Sequence, residues 1–218
     1  MKKILAFNGG PRKQGNTSIM LESFLKGAKD AGSMTEQINT YDIDLKHCSG
    51  CLRCNVLKYC SLKEDDWQSI SEKIMQSDVL VFATPVYFHH VTASLKKIID
   101  RFRSFVNVEI TEEGLKHTPW QTWNKEFVLL LSMGSSDDSE ADPIIELFQF
   151  MCSILGTENK LHVVKAIRLA VSGQIIKTNE ELEKLYVKLK LPSNLVYTDF
   201  RRNQIILNKS YRLGASLS

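Results

Sequence analysis

Apolar positions along this chain alternate between two rhythms. Short dense runs at 3–7, 34–41, 78–83, 127–131 and 161–170 are bounded by polar or turn residues and are the length of strands. Between them the apolar residues fall at helical spacing. Met20, Leu21, Phe24, Leu25 and Ala28 share one face and stop at Gly32. Asp66 is placed to cap a helix carrying Trp67, Ile70, Ile74 and Met75. Leu95, Ile98, Ile99, Phe102 and Phe105 mark an amphipathic helix over 94–105. Asp142-Pro143 opens the next helix and Gly156 closes it, while Thr178 and Glu181 have capping-box spacing before Leu182, Leu185, Tyr186 and Leu189. Parallel strands need crossover helices, so five strand–helix units predict an α/β, doubly wound sandwich with a five-stranded parallel sheet buried on both faces.

A length of 218 residues suits one such domain, read here as 1–190 with an extension at 191–218. An insertion at 107–125 contains Trp120 and Trp123 and exceeds an ordinary loop. It reads either as a substrate lid or as a surface loop, and the extension as a tail packed on a partner copy. The net charge of +3 comes from scattered basic residues, so nucleic acid is not an expected partner. No apolar run approaches membrane-spanning length. The start, Met1-Lys2-Lys3, leads into only four apolar residues before Asn8-Gly9-Gly10, which reads as a first strand of a cytoplasmic protein rather than a signal peptide.

The candidate chemistry begins where that strand ends, in Asn8-Gly9-Gly10-Pro11-Arg12-Lys13-Gln14-Gly15-Asn16-Thr17-Ser18. A loop between a strand's carboxyl end and a helix N-terminus is an anion site in open parallel sheets. Asn16 stands where a triphosphate loop needs lysine, and Pro11 and Gln14 break the dinucleotide glycine pattern. What remains, donors at Asn16, Thr17 and Ser18, glycine at Gly10 and charge at Arg12, suits a single phosphate monoester. The third strand ends in Thr84-Pro85-Val86-Tyr87-Phe88-His89-His90, where Pro85 turns the chain outward and backbone amides and aromatic faces could meet a flat heterocycle. Met133, Gly134 and Ser135 follow the fourth strand and bring a third small-residue loop to the same edge.

Cysteine usage is uneven. Cys48-x2-Cys51-x2-Cys54-x5-Cys60 packs four thiols into thirteen residues, whereas Cys152 sits alone on an apolar helix face and reads as a core thiol. Successive x2 spacings suit three corners of a 4Fe–4S cluster, with a fourth ligand a short loop away. Zinc and unligated thiols remain competing readings.

The loop Gly9-Gly10-Pro11-Arg12…Gly15-Asn16-Thr17, the cysteine block, and Thr84-Pro85-Val86-Tyr87-Phe88…Leu95-Lys96…Ile99-Asp100-Arg101 together resemble the NAD(P)H-dependent FMN reductase superfamily, in its iron–sulfur flavoprotein branch. The resemblance spans roughly 1–170. It implies a flavodoxin-like fold, with FMN phosphate at Gly10, Arg12, Asn16, Thr17 and Ser18. The flavin ring would lie against Pro85, Val86, Tyr87 and Phe88 with a further edge at Met133, Gly134 and Ser135, and the cluster on Cys48, Cys51, Cys54 and Cys60. It also implies NAD(P)H or a reduced protein such as ferredoxin as electron donor, and a homodimer or homotetramer whose subunits complete one another's sites. No catalytic side chain is expected, because the cofactor carries the redox chemistry. A cluster-free NAD(P)H:FMN or quinone reductase and a flavodoxin-like carrier are the alternatives. Two departures bear on the site: Gly10 stands where relatives often have serine, and His89-His90 replaces small residues.

Overall fold

The computed structural model describes residues 1–218. Its elements in chain order are β1 (Lys3–Asn8), α1 (Asn16–Asp30), β2 (Met34–Asn39), the single turn α2 (Cys54–Leu57), α3 (Trp67–Gln76), β3 (Val79–Pro85) and α4 (Ala93–Arg101). They continue with β4 (Val106–Thr111), β5 (Gly114–Pro119), β6 (Glu126–Ser132), α5 (Asp142–Leu155), β7 (Lys160–Ala166), α6 (Asn179–Leu189) and α7 (Val196–Ser216). The main sheet has the order β2-β1-β3-β6-β7, and every neighbouring pair is parallel. The chain leaves β1 toward β2 on one side and returns to β3 on the other. The crevice above β1 and β3 is therefore the switch point at which such sheets bind ligands.

Residues alternate between the two faces, and both faces are covered, which is why the strand sequences read as unbroken apolar runs. Leu5, Phe7, Phe82, Phe127 and Leu129 point to a core shared with α3, α4 and α5. Ile4, Ala6, Val81, Val128 and Val164 point to a second core beneath α1, closed by Ile206 and Leu217 from the C-terminal segment.

Three expectations change. The helix expected over 94–105 ends as α-helix at Arg101 and tightens into a 3₁₀ turn, Phe102–Phe105. There Phe102 and Phe105 pack against each other and against Trp67 and Trp123. The insertion is no irregular loop: β4 and β5 form an antiparallel hairpin from Val106↔Pro119 to Thr111↔Gly114. Trp123 is buried behind it, and Trp120 donates its indole N–H to Ser104 O at 3.1 Å. Finally, the segment after 191 forms α7, which lies on α1 of its own chain. The two helices cross at glycines: a Cβ on Gly27 would come 2.0 Å from Tyr211 O, and one on Gly214 2.0 Å from Phe24 O. No helix is long and apolar enough to cross a membrane.

Candidate functional site: a phosphate cradle and a cysteine segment

The β1–α1 turn is braced by the residue that ends the strand. Asn8 is buried; its Oδ1 accepts from Gly10 N at 3.0 Å and its Nδ2 donates to Ser18 Oγ at 3.0 Å. Gly9 N donates across to Ala83 O of β3 at 2.7 Å, which ties the turn to the switch point. Arg12 O receives both Gly15 N at 2.9 Å and Ser18 Oγ at 3.0 Å, folding the loop back over the start of α1. Gly15 is the N-cap and has no side chain to offer, and Ile19 is the first residue to donate back, to Gly15 O. The leading amides of α1 are thus held at the positive end of a fifteen-residue helix, the arrangement that favours an anion.

These amides face a cavity of about 160 Å³. Gly10, Arg12 and Thr17 line one side of it, Pro85, Val86 and Tyr87 a second, and Met133 and Gly134 a third. Thr17 Oγ1 shares a 2.6 Å hydrogen bond with Ser132 Oγ at the end of β6, so a hydroxyl pair stands at the cavity wall. Leu169 and Ala170, from the loop after β7, complete the enclosure.

Several sequence-selected residues act differently from the expectation. Asn16 lines the cavity, but its side chain is turned to the β7 loop, donating to Val171 O at 2.9 Å and Leu169 O at 3.3 Å and accepting from Ile175 N at 3.0 Å. Its side-chain amide is therefore committed to that loop, which leaves its backbone N–H as the group available to a ligand. Ser18 lies outside the cavity, with its hydroxyl occupied by Asn8 and Arg12 O, so it braces the loop. Ser135 is also outside; its carbonyl accepts from Arg168 N at 2.8 Å. In the β3 loop, Val86 N already donates to Ser132 O and Tyr87 N to His90 O. Tyr87 and His90 exchange both backbone hydrogen bonds around Phe88 (φ 48°) and His89 (φ 60°), a two-residue turn with both central residues left-handed. Neither is glycine, so this turn is strained, and it carries Phe88 fully exposed beside the cavity mouth.

Sequence reading missed Asn8, Ser132 and the wall at Leu169–Ala170. Ser132 had a signal, the first polar residue after a buried apolar run; the wall had none, because its role depends on a bond from Asn16, 153 positions away. Glycine at position 10 also has a local reason: a Cβ there would lie 3.2 Å from Asn8 Oδ1 and 3.3 Å from Thr17 Cβ.

The four clustered cysteines line one hollow of about 30 Å³, which Arg101 and Arg103 also line. Cys48 and Cys51 are exposed, Cys60 is half-buried and Cys54 is buried, and the thiols are not drawn into a coordination sphere. Hydrogen bonds from Arg53 N–H, Ser61 and Ser49 hold the Cys51 thiol below its ordinary pKa. Burial raises that of Cys54 against the opposing charge of Arg103, whose Nη1 lies 3.6 Å from its sulfur. A buried pair anchors the segment from behind: Arg101 Nη1 meets Asp65 Oδ2 at 2.6 Å, and Asp65 also receives Trp67 N and Lys46 N. Cys152 is a core thiol whose pKa burial pushes up to about 12.

A doubly wound, five-stranded parallel sheet with a glycine-rich turn at its switch point defines a flavodoxin-like protein. The model of the NADPH-dependent FMN reductase family matches residues 2–173, and the chain belongs to that family. It is 40% identical over 101 residues to an iron–sulfur flavoprotein of Archaeoglobus fulgidus, covering 46% of this chain and 49% of that one. It is 35% identical over 101 residues to an iron–sulfur flavoprotein of Methanocaldococcus jannaschii, covering 46% and 52%. The alignments thus span about half the length of these curated relatives. Among solved structures, an NAD(P)H:quinone oxidoreductase from Methanothermobacter marburgensis superposes with a TM-score of 0.64 at 17% identity over 100% of this chain and 99% of that one, a likeness of fold.

Proposed function

We propose that this protein is an FMN-dependent oxidoreductase that exchanges electrons with NAD(P)H or a reduced protein donor and passes them on through a cluster held by Cys48, Cys51, Cys54 and Cys60. The observation that carries the reading is the cradle: uncapped helix amides, Arg12 and the Thr17–Ser132 hydroxyl pair converge on the cavity that the β3 and β6 loops wall. This donor set suits one dianionic phosphate, and the family match supports FMN as its owner. When bound, FMN supplies chemistry that exchanges electrons in pairs or singly.

The chain's own residues bind and orient. Helix amides and Arg12 fix the phosphate end, while Pro85, Val86 and Tyr87 form a wall along the ring. The Gly134 N–H is left for its edge, and Gly134 lets the backbone approach closely. Exposed Tyr87 and Phe88 at the mouth support a second copy of the chain covering the site.

The four cysteines are of the right type and share one hollow, which supports an iron–sulfur cluster there. Their separation favours a second reading, a cluster-free reductase with idle thiols. One oxygen-free preparation decides: the primary reading expects FMN, iron and sulfide in the ratio of one flavin to one 4Fe–4S cluster, and the second expects flavin alone. Colourless, folded protein that takes up no added FMN would refute both. Rapid mixing with NADPH then separates an enzyme, whose flavin bleaches at a useful rate, from a carrier, whose flavin does not.

A further inference from the structure

The C-terminal region carries a buried polar cluster that the proposed chemistry does not use. Asp199 of α7 is fully buried. It receives Arg168 Nε on both carboxylate oxygens at 3.0 Å, a further bond from Arg168 Nη2, the Tyr186 hydroxyl, and Arg202 Nη1 at 2.6 Å. A buried carboxylate gripping a guanidinium with this many bonds is a geometric fastener.

What it fastens is the loop that walls the cradle. Arg168 has φ 55°, a left-handed conformation that a non-glycine residue keeps only when its surroundings hold it there. The next residues are Leu169 and Ala170, which line the cavity. Buried Gln174 stitches the loop internally, donating to Arg168 O at 2.8 Å and accepting from Ala170 N at 3.1 Å and Val171 N at 3.2 Å. From this loop, contacts pass to three residues of the phosphate turn: Ala170 O accepts from Arg12 Nη1 at 3.4 Å, Ser172 Oγ donates to Gln14 O at 2.8 Å, and Asn16 makes the bonds described above. Asp199 lies beyond residue 173, where the family match ends.

We propose that Arg168 and Asp199 are positioning residues for the cofactor phosphate: α7, through this pair, holds the 168–175 loop, and the loop aims Arg12 into the cradle. The proposal rests on the flavin reading given above. It places the specificity for a phosphorylated flavin partly outside the turn that touches the phosphate.

The test compares FMN with riboflavin, which shares the ring and ribityl chain and lacks the phosphate, by quenching of flavin fluorescence on apo-protein. Arg168→Gly removes the guanidinium while relieving the left-handed backbone, so the fold should hold; Asp199→Asn cuts the connection from the other end. Each variant should lose about tenfold in FMN affinity, the scale of one misplaced charged hydrogen bond, with riboflavin affinity within about twofold of wild type. The double variant should lose no more than the single ones, because both break one connection. Unchanged FMN binding, parallel losses for FMN and riboflavin, or losses that multiply in the double variant would each overturn the proposal and leave the flavin reading standing. A wild-type protein that binds no FMN overturns both.

Discussion

The phosphate cradle and the cysteine segment both follow strands of the same sheet, β1 and β2, yet they are built on opposite plans. In the cradle the side chains of Asn8, Asn16, Thr17 and Ser18 all have named partners, and the helix behind them is pinned by α7. In the cysteine segment the thiol contacts are long, Cys51 to Ser61 and Cys54 to Arg103 O at 3.8 Å each and Arg103 Nη1 to Cys54 at 3.6 Å, and Leu52, Lys58 and Glu64 are left-handed. The difference follows from what each would hold. A phosphate is recognised by amide dipoles that must be aimed beforehand, since no single one is strong. Metal–thiolate bonds are strong enough to gather their own ligands, so such a segment can wait for its ligand to complete it.

The comparison breaks most sharply at the sulfurs. Cys54→Ser combined with Cys60→Ser is expected to abolish bound iron and sulfide in an anaerobic preparation while flavin content stays at the wild-type level; flavin lost in step with iron would mean the two regions are not separate. Next in size is the fastening of the cysteine segment. Arg101→Met strands the Asp65 carboxylate in a site where both side chains are almost wholly buried, and urea unfolding should show a loss of about 3–5 kcal/mol. At the cradle, a Cβ on Gly9 would lie 3.1 Å from Thr92 Oγ1 and 3.2 Å from Ala83 O. Gly9→Val should therefore cost about 1–3 kcal/mol and reduce FMN retention, with iron content unchanged.

Acid titration touches both regions through their buried carboxylates. Burial alone would raise Asp65 and Asp199, but Arg101 with the Trp67 and Lys46 amides in one case, and Arg168 with Tyr186 and Arg202 in the other, hold both below the ordinary value of 3.8. A lowered folded-state pKa means that the stabilisation is complete above 3.8 and disappears as the pH falls through the folded values. The urea midpoint should accordingly hold between pH 6 and 5 and drop below about pH 3.8, and Asp65→Asn should flatten that drop. The smallest effect serves as a control. Thr178→Ala removes the capping box of α6, at about 1 kcal/mol, and should alter neither flavin nor iron content.

The strand–helix alternation was legible because fully covered strands are apolar on both sides, and the cradle because glycines and hydroxyls sit directly after β1. The hairpin was hidden by its polar composition: β5 is mostly exposed, so no apolar alternation marks it. The β7 strand, expected through residue 170, stops at Ala166 because Arg168 turns the chain left-handed. Helix α7 escaped for a different reason. Its buried face is Asp199, Asn203, Ile206, Ser210 and Gly214, which keeps helical spacing while holding one apolar residue, so a search for hydrophobic period passes over it. The direction of the Asn16 side chain could not be read either, since it answers to a loop that is distant in sequence.

The glycine crossing of α1 and α7 also bears on synthesis. A ribosome delivers α7 180 residues after α1, and until the second helix emerges the outer flank of the first has no cover. Nascent chains of this protein should therefore stay vulnerable to protease along α1 until α7 has left the ribosome, and lose that vulnerability in one step.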